Sequence, residues 1–417
     1  GLASSSFAAD TLADAFKNGK VNGQLKAWYY DRTDETQAAY NNENMTDFGV
    51  ELKYVTDSLY GFYAGLTFQA AAQPWAEKNA DTLFADEQNA GGGVLSEAYL
   101  GYKLGKTDVK IGRQYINTPL VGGSTGRIFT ESFEGATIVN TDLPQTTLIG
   151  GYVNKFQGRT SNVSGDGLGD APSFNKVGVF YGVQKTKALG NSNKLSFDDA
   201  YTLGVINKSI TNTTLTAQYA LVQDVAGTNI GDADVYFAEA SYLLPLNGFK
   251  LGFDAVYRGS KTDKDVGHDG NYVAGRVSLK ELAGFGASFA YGTTSSNDAV
   301  IVGLGNGPQT YTGTLIRASA DTAAASTDSY VFTATYDLGK LGVTGLGLLG
   351  QYGVIKQDKL PATAKFARTT DIEFTSYVGA VTYDVQALKG LSLALQYETR
   401  EKDDTTKKQD VDELRFL

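Results

Sequence analysis

The chain has 417 residues, no cysteine and a formal net charge of −10. Without cysteine it has no disulfide framework, thiol nucleophile or cysteine-based metal site, and the acidic balance argues against nucleic acid as a partner. Mean hydropathy is −0.22, and no apolar run reaches the roughly 18 residues a membrane helix needs, which excludes a helical membrane protein but not a barrel, whose strands face lipid with alternate residues only.

Residues 1–9 (GLASSSFAA) are small and polar, and Ser6-Phe7-Ala8 fits the small-x-small rule, so they read as a signal-peptide remnant and imply export. Residues 10–19 form a short N-terminal segment in which Leu12 and Phe16, four apart, suggest a brief helix. From residue 20 to the end a two-residue beat takes over. Val21, Gly23, Leu25, Ala27 and Tyr29 share one face, with Asn22, Gln24 and Lys26 opposite. Phe48, Val50, Leu52 and Tyr54 alternate with Gly49, Glu51 and Lys53, and after a turn Phe62, Ala64, Leu66 and Phe68 follow. The clearest case is 248–260, where Phe249, Leu251, Phe253, Ala255 and Tyr257 interleave with Lys250, Gly252, Asp254, Val256 and Arg258. Successive strand residues point to opposite faces, so each segment has one oily face and one charged face.

The connections alternate in length. Short turns are expected at 57–60, 104–108, 140–146, 208–213, 244–249, 280–285, 338–345 and 385–391. Long polar loops are expected at 32–46, 70–92, 116–132, 157–198, 223–233, 259–270, 293–328, 356–370 and 400–410. Eight turns and nine loops make seventeen connections, hence about 18 strands in one domain over 20–417, an all-β transmembrane antiparallel barrel with short periplasmic turns and long extracellular loops. The segment 176–184 (KVGVFYGVQ) also alternates and would make the count odd, so it is placed inside the loop at 157–198; 16 strands is the alternative. Residues 411–417 are short for a full crossing, which suggests that a few terminal residues are missing.

Between Lys110 and Tyr152, Gly112-Arg113-Gln114, Thr118-Pro119-Leu120 and Phe133-Glu134-Gly135 follow one another in an order that resembles the OprD-like porin family, most closely its branch of campylobacter-type major outer-membrane porins. The resemblance implies an 18-stranded homotrimeric barrel of the bacterial outer membrane, with an inward-folded third loop, through which small charged nutrients or ions diffuse. Members with strong substrate preference carry a basic ladder along the pore; no dense arginine row is visible in this sequence.

Phase assigns Glu51, Glu97, Glu239, Asp254, Glu373 and Glu398 to the lumen, with Lys26, Lys53, Lys103, Lys110, Lys155, Lys250, Arg258, Arg276 and Lys280. A base at mid-depth on the lipid face would cost about 2–4 kcal/mol, which is why such groups belong inside. The loop at 116–132 is the candidate constriction, with Thr118, Arg127 and Glu131 and, at its exit, Glu134; Pro119 and three nearby glycines permit a tight inward fold. An acid facing a base there would set up a transverse field. Arg113 is out of phase and belongs at the rim, or is turned inward by a bulge. Asp166 and Asp170, in a glycine-rich loop, are weak candidates for Ca²⁺, and no cofactor is required. The only histidine, His268, lies among aspartates and reads as a solvated loop residue or, in a barrel hydrolase, as a catalytic base. The segment 303–307 (GLGNG) reads as a flexible loop rather than a nucleotide site.

The expectation is therefore a porin, not an enzyme: an integral outer-membrane channel for ions and small hydrophilic solutes, bounded by lipid and mildly cation-selective. The rival readings are a barrel with a plugged lumen acting as an adhesin or structural protein, and the barrel hydrolase.

Overall fold

The computed structural model describes residues 9–39, 41–163, 169–186, 189, 193–317 and 320–417. Its wall strands are β1 (Lys20–Asp34), β2 (Asn42–Val55), β3 (Phe62–Ala76), β4 (Gly92–Leu104), β5 (Thr107–Gln114), β6 (Ser132–Asn140), β7 (Thr146–Gln157), β8 (Ala200–Asn207) and β9 (Thr213–Val225). They continue as β10 (Gly231–Leu246), β11 (Phe249–Thr262), β12 (Asn271–Leu282), β13 (Phe285–Thr294), β14 (Thr327–Asp337), β15 (Leu346–Gln357), β16 (Ile372–Asp384), β17 (Ser392–Asp403) and β18 (Lys408–Phe416). Each pairs antiparallel with the next, and β1 closes on β18 through Tyr29–Asp34 against Val411–Phe416. Among the described residues this is a closed 18-stranded barrel, and closure leaves the wall without the open sheet edge that a bilayer would not tolerate.

The beat in the sequence becomes the two faces of the wall. Leu25, Leu100, Ile111, Leu203, Val277, Phe289 and Tyr377 are exposed on the outside, while alternate residues such as Lys26, Tyr30, Arg32, Glu97 and Arg258 are covered inside. Turns and loops alternate as expected. The segment Val177–Tyr181 lies outside the wall, in the connection between β7 and β8, paired with Lys194–Ser196 and Gly303–Leu304. The N-terminal helix α1 (Leu12–Lys17) is capped by Thr11, whose Oγ1 accepts from the Asp14 amide, and it docks on the wall where the Asp57 amide donates to Ala15 O.

Candidate functional site: a lumen narrowed by two inward loops

The barrel is not an open tube. The loop between β5 and β6 (115–131) and the loop between β13 and β14 (295–326) reach inside and join each other. Leu304 N donates to Leu120 O (2.9 Å) and Gly122 N to Leu304 O (3.0 Å). The approach demands glycine: a Cβ on Gly305, at φ +91°, would stand 2.1 Å from Gly122 O. The segment 303–307 is therefore a fixed seam, not a flexible loop. Around it pack Leu120, Val121, Phe133, Phe180, Phe197, Val302 and Leu304, all buried.

Wall residues hold both loops. Lys26 Nζ donates to Arg127 O and Ile128 O (3.2 and 3.1 Å). Arg258 Nη1 donates to Pro119 O (3.0 Å) and Val302 O (3.1 Å), one carbonyl from each loop. Glu398 accepts from Thr314 Oγ1 (2.7 Å) and from the Ile316 and Arg317 amides (3.1 Å each). The Gln218 amide side chain bridges Thr118 Oγ1 and the Leu120 amide. Beneath the seam, Asn117, Glu239, Arg258, Arg276, Tyr311 and Gln351 help to line a cavity of about 530 Å³. Towards the periplasmic turns a wider one, about 790 Å³, is lined by Arg276, Lys280, Thr335 and Lys340 among others.

Several residues stand where phase put them. Lys53 pairs with Glu97 (2.7 Å) and Arg276 with Asp254 (2.9 Å); Glu51 accepts from Tyr115 Oη (3.1 Å), and Lys110 lies over the Tyr99 ring. Others require correction. Arg127 and Glu131 do not face each other: Arg127 binds Glu87 (2.6 Å), whereas Glu131 accepts from the Ser124 and Asn306 amides. Glu134 and Lys155 lie on the outer face: Glu134 is in phase with exposed Ile138, while a bulge at Asn154, where Glu134 pairs with Lys155 but Gly135 with Val153, turns Lys155 outward and out of step with buried Val153; Glu134 there joins Arg113 (3.0 Å) and Lys155 (2.9 Å). Arg113 accordingly sits at the rim, its guanidinium against the Phe174 ring. Glu373 is also outward, in phase with exposed Tyr377, and pairs with Lys356 at 3.4 Å. Asp166 falls outside the described residues, and among those described no group of three or more His, Asp or Glu side chains could hold a metal ion. His268 is buried, not solvated: its Nε2 accepts from the Gln184 amide (3.0 Å) and its ring meets Phe366 edge-on. Burial lowers its pKa to about 4, against the opposing pull of the Val266 carbonyl and Asp269; sealed from solvent, it offers the hydrolase reading no accessible base.

One feature escaped the sequence. On the side where the barrel closes, Arg32, Arg127, Arg317, Arg400 and Arg415 converge with Glu87, Glu413 and Asp321. Glu413 binds Arg32 (2.8 Å), Arg317 (3.2 Å) and Arg415 (2.6 Å); Glu87 binds Arg32 (2.8 Å) and Arg127; Arg400 binds Asp321 (2.7 Å). Burial alone would raise the Glu87 pKa, but Arg32, Arg127, Arg317 and Arg159 hold it well below the usual carboxylate range. The phase of Arg32 was readable, in step with Lys26, as was that of Glu413 and Arg415. What could not be read was the closure that makes Arg32 and Glu413 neighbours across 381 positions.

A closed barrel with an apolar outer face, a polar lumen and inward loops that narrow it defines an integral outer-membrane channel protein. A family profile for the outer membrane porin, OprD family, matches residues 98–417, and the chain belongs to that family. As a porin it is a channel and not an enzyme. Among solved structures it is similar to OpdO of Pseudomonas aeruginosa (17% identity, 97% of each chain covered, TM-score 0.74). It is also similar to OccK9 (OpdG) of P. aeruginosa (16% identity, 96% of this chain and 98% of the other, TM-score 0.78) and to OccAB3 of Acinetobacter baumannii (17% identity, 96% and 98%, TM-score 0.78). At such identities the likeness is one of fold. No curated protein matches the sequence.

Proposed function

We propose that this porin is a passive diffusion channel for ions and small hydrophilic solutes, selected where the two inward loops meet the wall. The observation that carries this is the pairing of a strapped lumen with polar cavities beneath it: the path is narrowed, while Arg276, Glu239, Gln351 and Lys280 keep its lining wettable. The net charge of −10 supports a mild cation preference.

A second reading, passage of small solutes that carry a carboxylate, is favoured by the guanidinium group. Arg127, Arg317 and Arg400 each keep a buried Nε with no hydrogen-bond acceptor among the described residues, and a carboxylate matches such a fork. Reversal potential in a KCl gradient separates the two readings: a potential favouring potassium supports the first, one favouring chloride the second.

The motif order from Gly112 to Gly135 supports kinship with the campylobacter-type branch. Homotrimer assembly is supported by an outward apolar groove of about 550 Å³ around Ile138, Tyr152 and Leu203, where β5, β6 and β8 are short. Crosslinking in native membranes tests it.

A further inference from the structure

The outer face of the wall carries a repeated polar motif that conduction does not use. Tyr152 Oη donates to Asp199 (2.7 Å), Tyr219 to Asp234, Tyr291 to Asp328 (2.7 Å) and Tyr397 to Asp412 (3.1 Å). The geometry is the same each time. The tyrosine is on an ascending strand, and the aspartate lies two residues above its rung, on or just before the following descending strand. Tyr219 opposes Tyr236, two residues below Asp234; Tyr291 opposes Tyr330, two below Asp328; Tyr397 opposes Leu414, two below Asp412; Tyr152 opposes Tyr201, two below Asp199. That diagonal is within reach of a long aromatic side chain. Tyr29 adds a fifth pair with Asp31 of its own strand (2.9 Å).

Three observations give the motif a partner. The tyrosines share the phase of lipid-facing residues, and Tyr219, Tyr291 and Tyr397 are exposed. None of the five aspartates has an ion-pair partner among the described residues; Lys261 and Lys356 stand across from Asp234 and Asp328 on the same face without pairing with them, and the ring presents carboxylates outward that no base holds in a direct pair. It is also confined to one end. Outward tyrosines at the periplasmic ends, Tyr102, Tyr242, Tyr336 and Tyr383, hydrogen-bond no carboxylate among the described residues, and Tyr102 and Tyr242 instead meet phenylalanines. Carboxylates do not belong in hydrocarbon, while tyrosine favours the interface. The boundary of the hydrocarbon therefore falls between the rings and the carboxylates, and whatever meets the carboxylates belongs to the outer leaflet alone.

We infer that these tyrosine–aspartate pairs form a collar that docks against phosphorylated glycolipid headgroups of the outer leaflet and fixes the height of the barrel in the membrane. Sugar hydroxyls and phosphate-bound divalent cations supply the donors and positive charge that the carboxylates lack, and each tyrosine hydroxyl holds its carboxylate at the level of contact.

The chain has no cysteine, so Ala238→Cys, two residues below Tyr236 on the outer face, provides a single attachment point for a nitroxide. Its immersion depth is measured in vesicles whose outer leaflet is phosphorylated glycolipid with Mg²⁺, and in vesicles of phosphatidylethanolamine alone. The Asp199→Asn/Asp234→Asn/Asp328→Asn/Asp412→Asn variant should move the label deeper by about one rung, ~3 Å, in glycolipid vesicles only. The Tyr→Phe variant at Tyr152, Tyr219, Tyr291 and Tyr397 should move it in the same direction by less. Heat-modifiable gel migration and unchanged conductance confirm that both remain folded. An unchanged depth in glycolipid overturns the collar, and an equal shift in phosphatidylethanolamine overturns its assignment to glycolipid.

Discussion

Glu131 accepts two hydrogen bonds from Asn306, one from its backbone amide at 2.9 Å and one from its side-chain amide at 2.5 Å. A third comes from the Ser124 amide, 2.9 Å away in its own loop. One fully buried carboxylate thus fastens two loops that are 175 positions apart. The narrowing of the lumen depends on that fastening at least as much as on the charges that face the solute.

Glu131→Ala should therefore open the channel. It removes three hydrogen bonds to part-buried donors, each worth about 0.5–1.5 kcal/mol, and the seam can separate. Single-channel conductance should rise, by about twofold as an order of magnitude for a relaxed constriction, with noisier open states. Unchanged conductance in folded protein would show that the seam does not set the width.

Gly305→Val attacks the same seam from the backbone. The new side chain would have to hold φ +91° and would collide with Gly122 O. Loop-specific protease cleavage should speed up several-fold while the barrel keeps its heat-modifiable migration, because the wall strands do not depend on this contact.

Glu413→Gln removes the one carboxylate that Arg32, Arg317 and Arg415 share. Breaking a buried pair by deleting one partner costs about 3–5 kcal/mol; here Arg32 keeps Glu87 and Arg415 keeps Ile316 O, while Arg317 has no other ion-pair partner among the described residues. The positive field on that side of the lumen grows, so the reversal potential should move towards the anion. Arg415→Gln should move it the opposite way.

His268 makes the outer loops sensitive to pH. Its pKa is lowered from 6.5 to about 4 in the folded loop, so on acidification the opened form takes up a proton before the folded form does. The contribution is intact above pH 6.5, declines between 6.5 and about 4, and changes no further below that. The slope in that window is about 1.4 kcal/mol per pH unit. Amide exchange at Gln184 and Val266 should accelerate as pH falls through the window, after correction for intrinsic rates, and His268→Phe should abolish that acceleration.

Much of the wall was legible because a period of two is a strong local signal. The faces of most wall strands follow from alternation, and the parity of turns and loops favoured 18 strands over 16 even with Val177–Tyr181 competing for a place. The lumen was less legible. Phase put Lys155 and Glu373 inside and the loop exit put Glu134 at the constriction, yet a bulge at Asn154 turns Lys155 outward, Glu373 shares the face of exposed Tyr377, and near the strand tops an outward charge meets headgroups and pairs locally at little cost. The guanidinium group and the seam of Leu120 with Leu304 arise from contacts between segments far apart in the chain, which no local pattern encodes. His268 misled for a similar reason: its neighbours in sequence are aspartates, but its neighbours in space are Phe366 and the Gln184 amide.

The most direct test of the central claim is single-channel current from detergent-purified protein in a planar bilayer. Discrete, stable conductance steps that grow in the Glu131→Ala variant are the predicted result. Correctly folded barrels that produce no steps would contradict the account and leave a plugged barrel in its place.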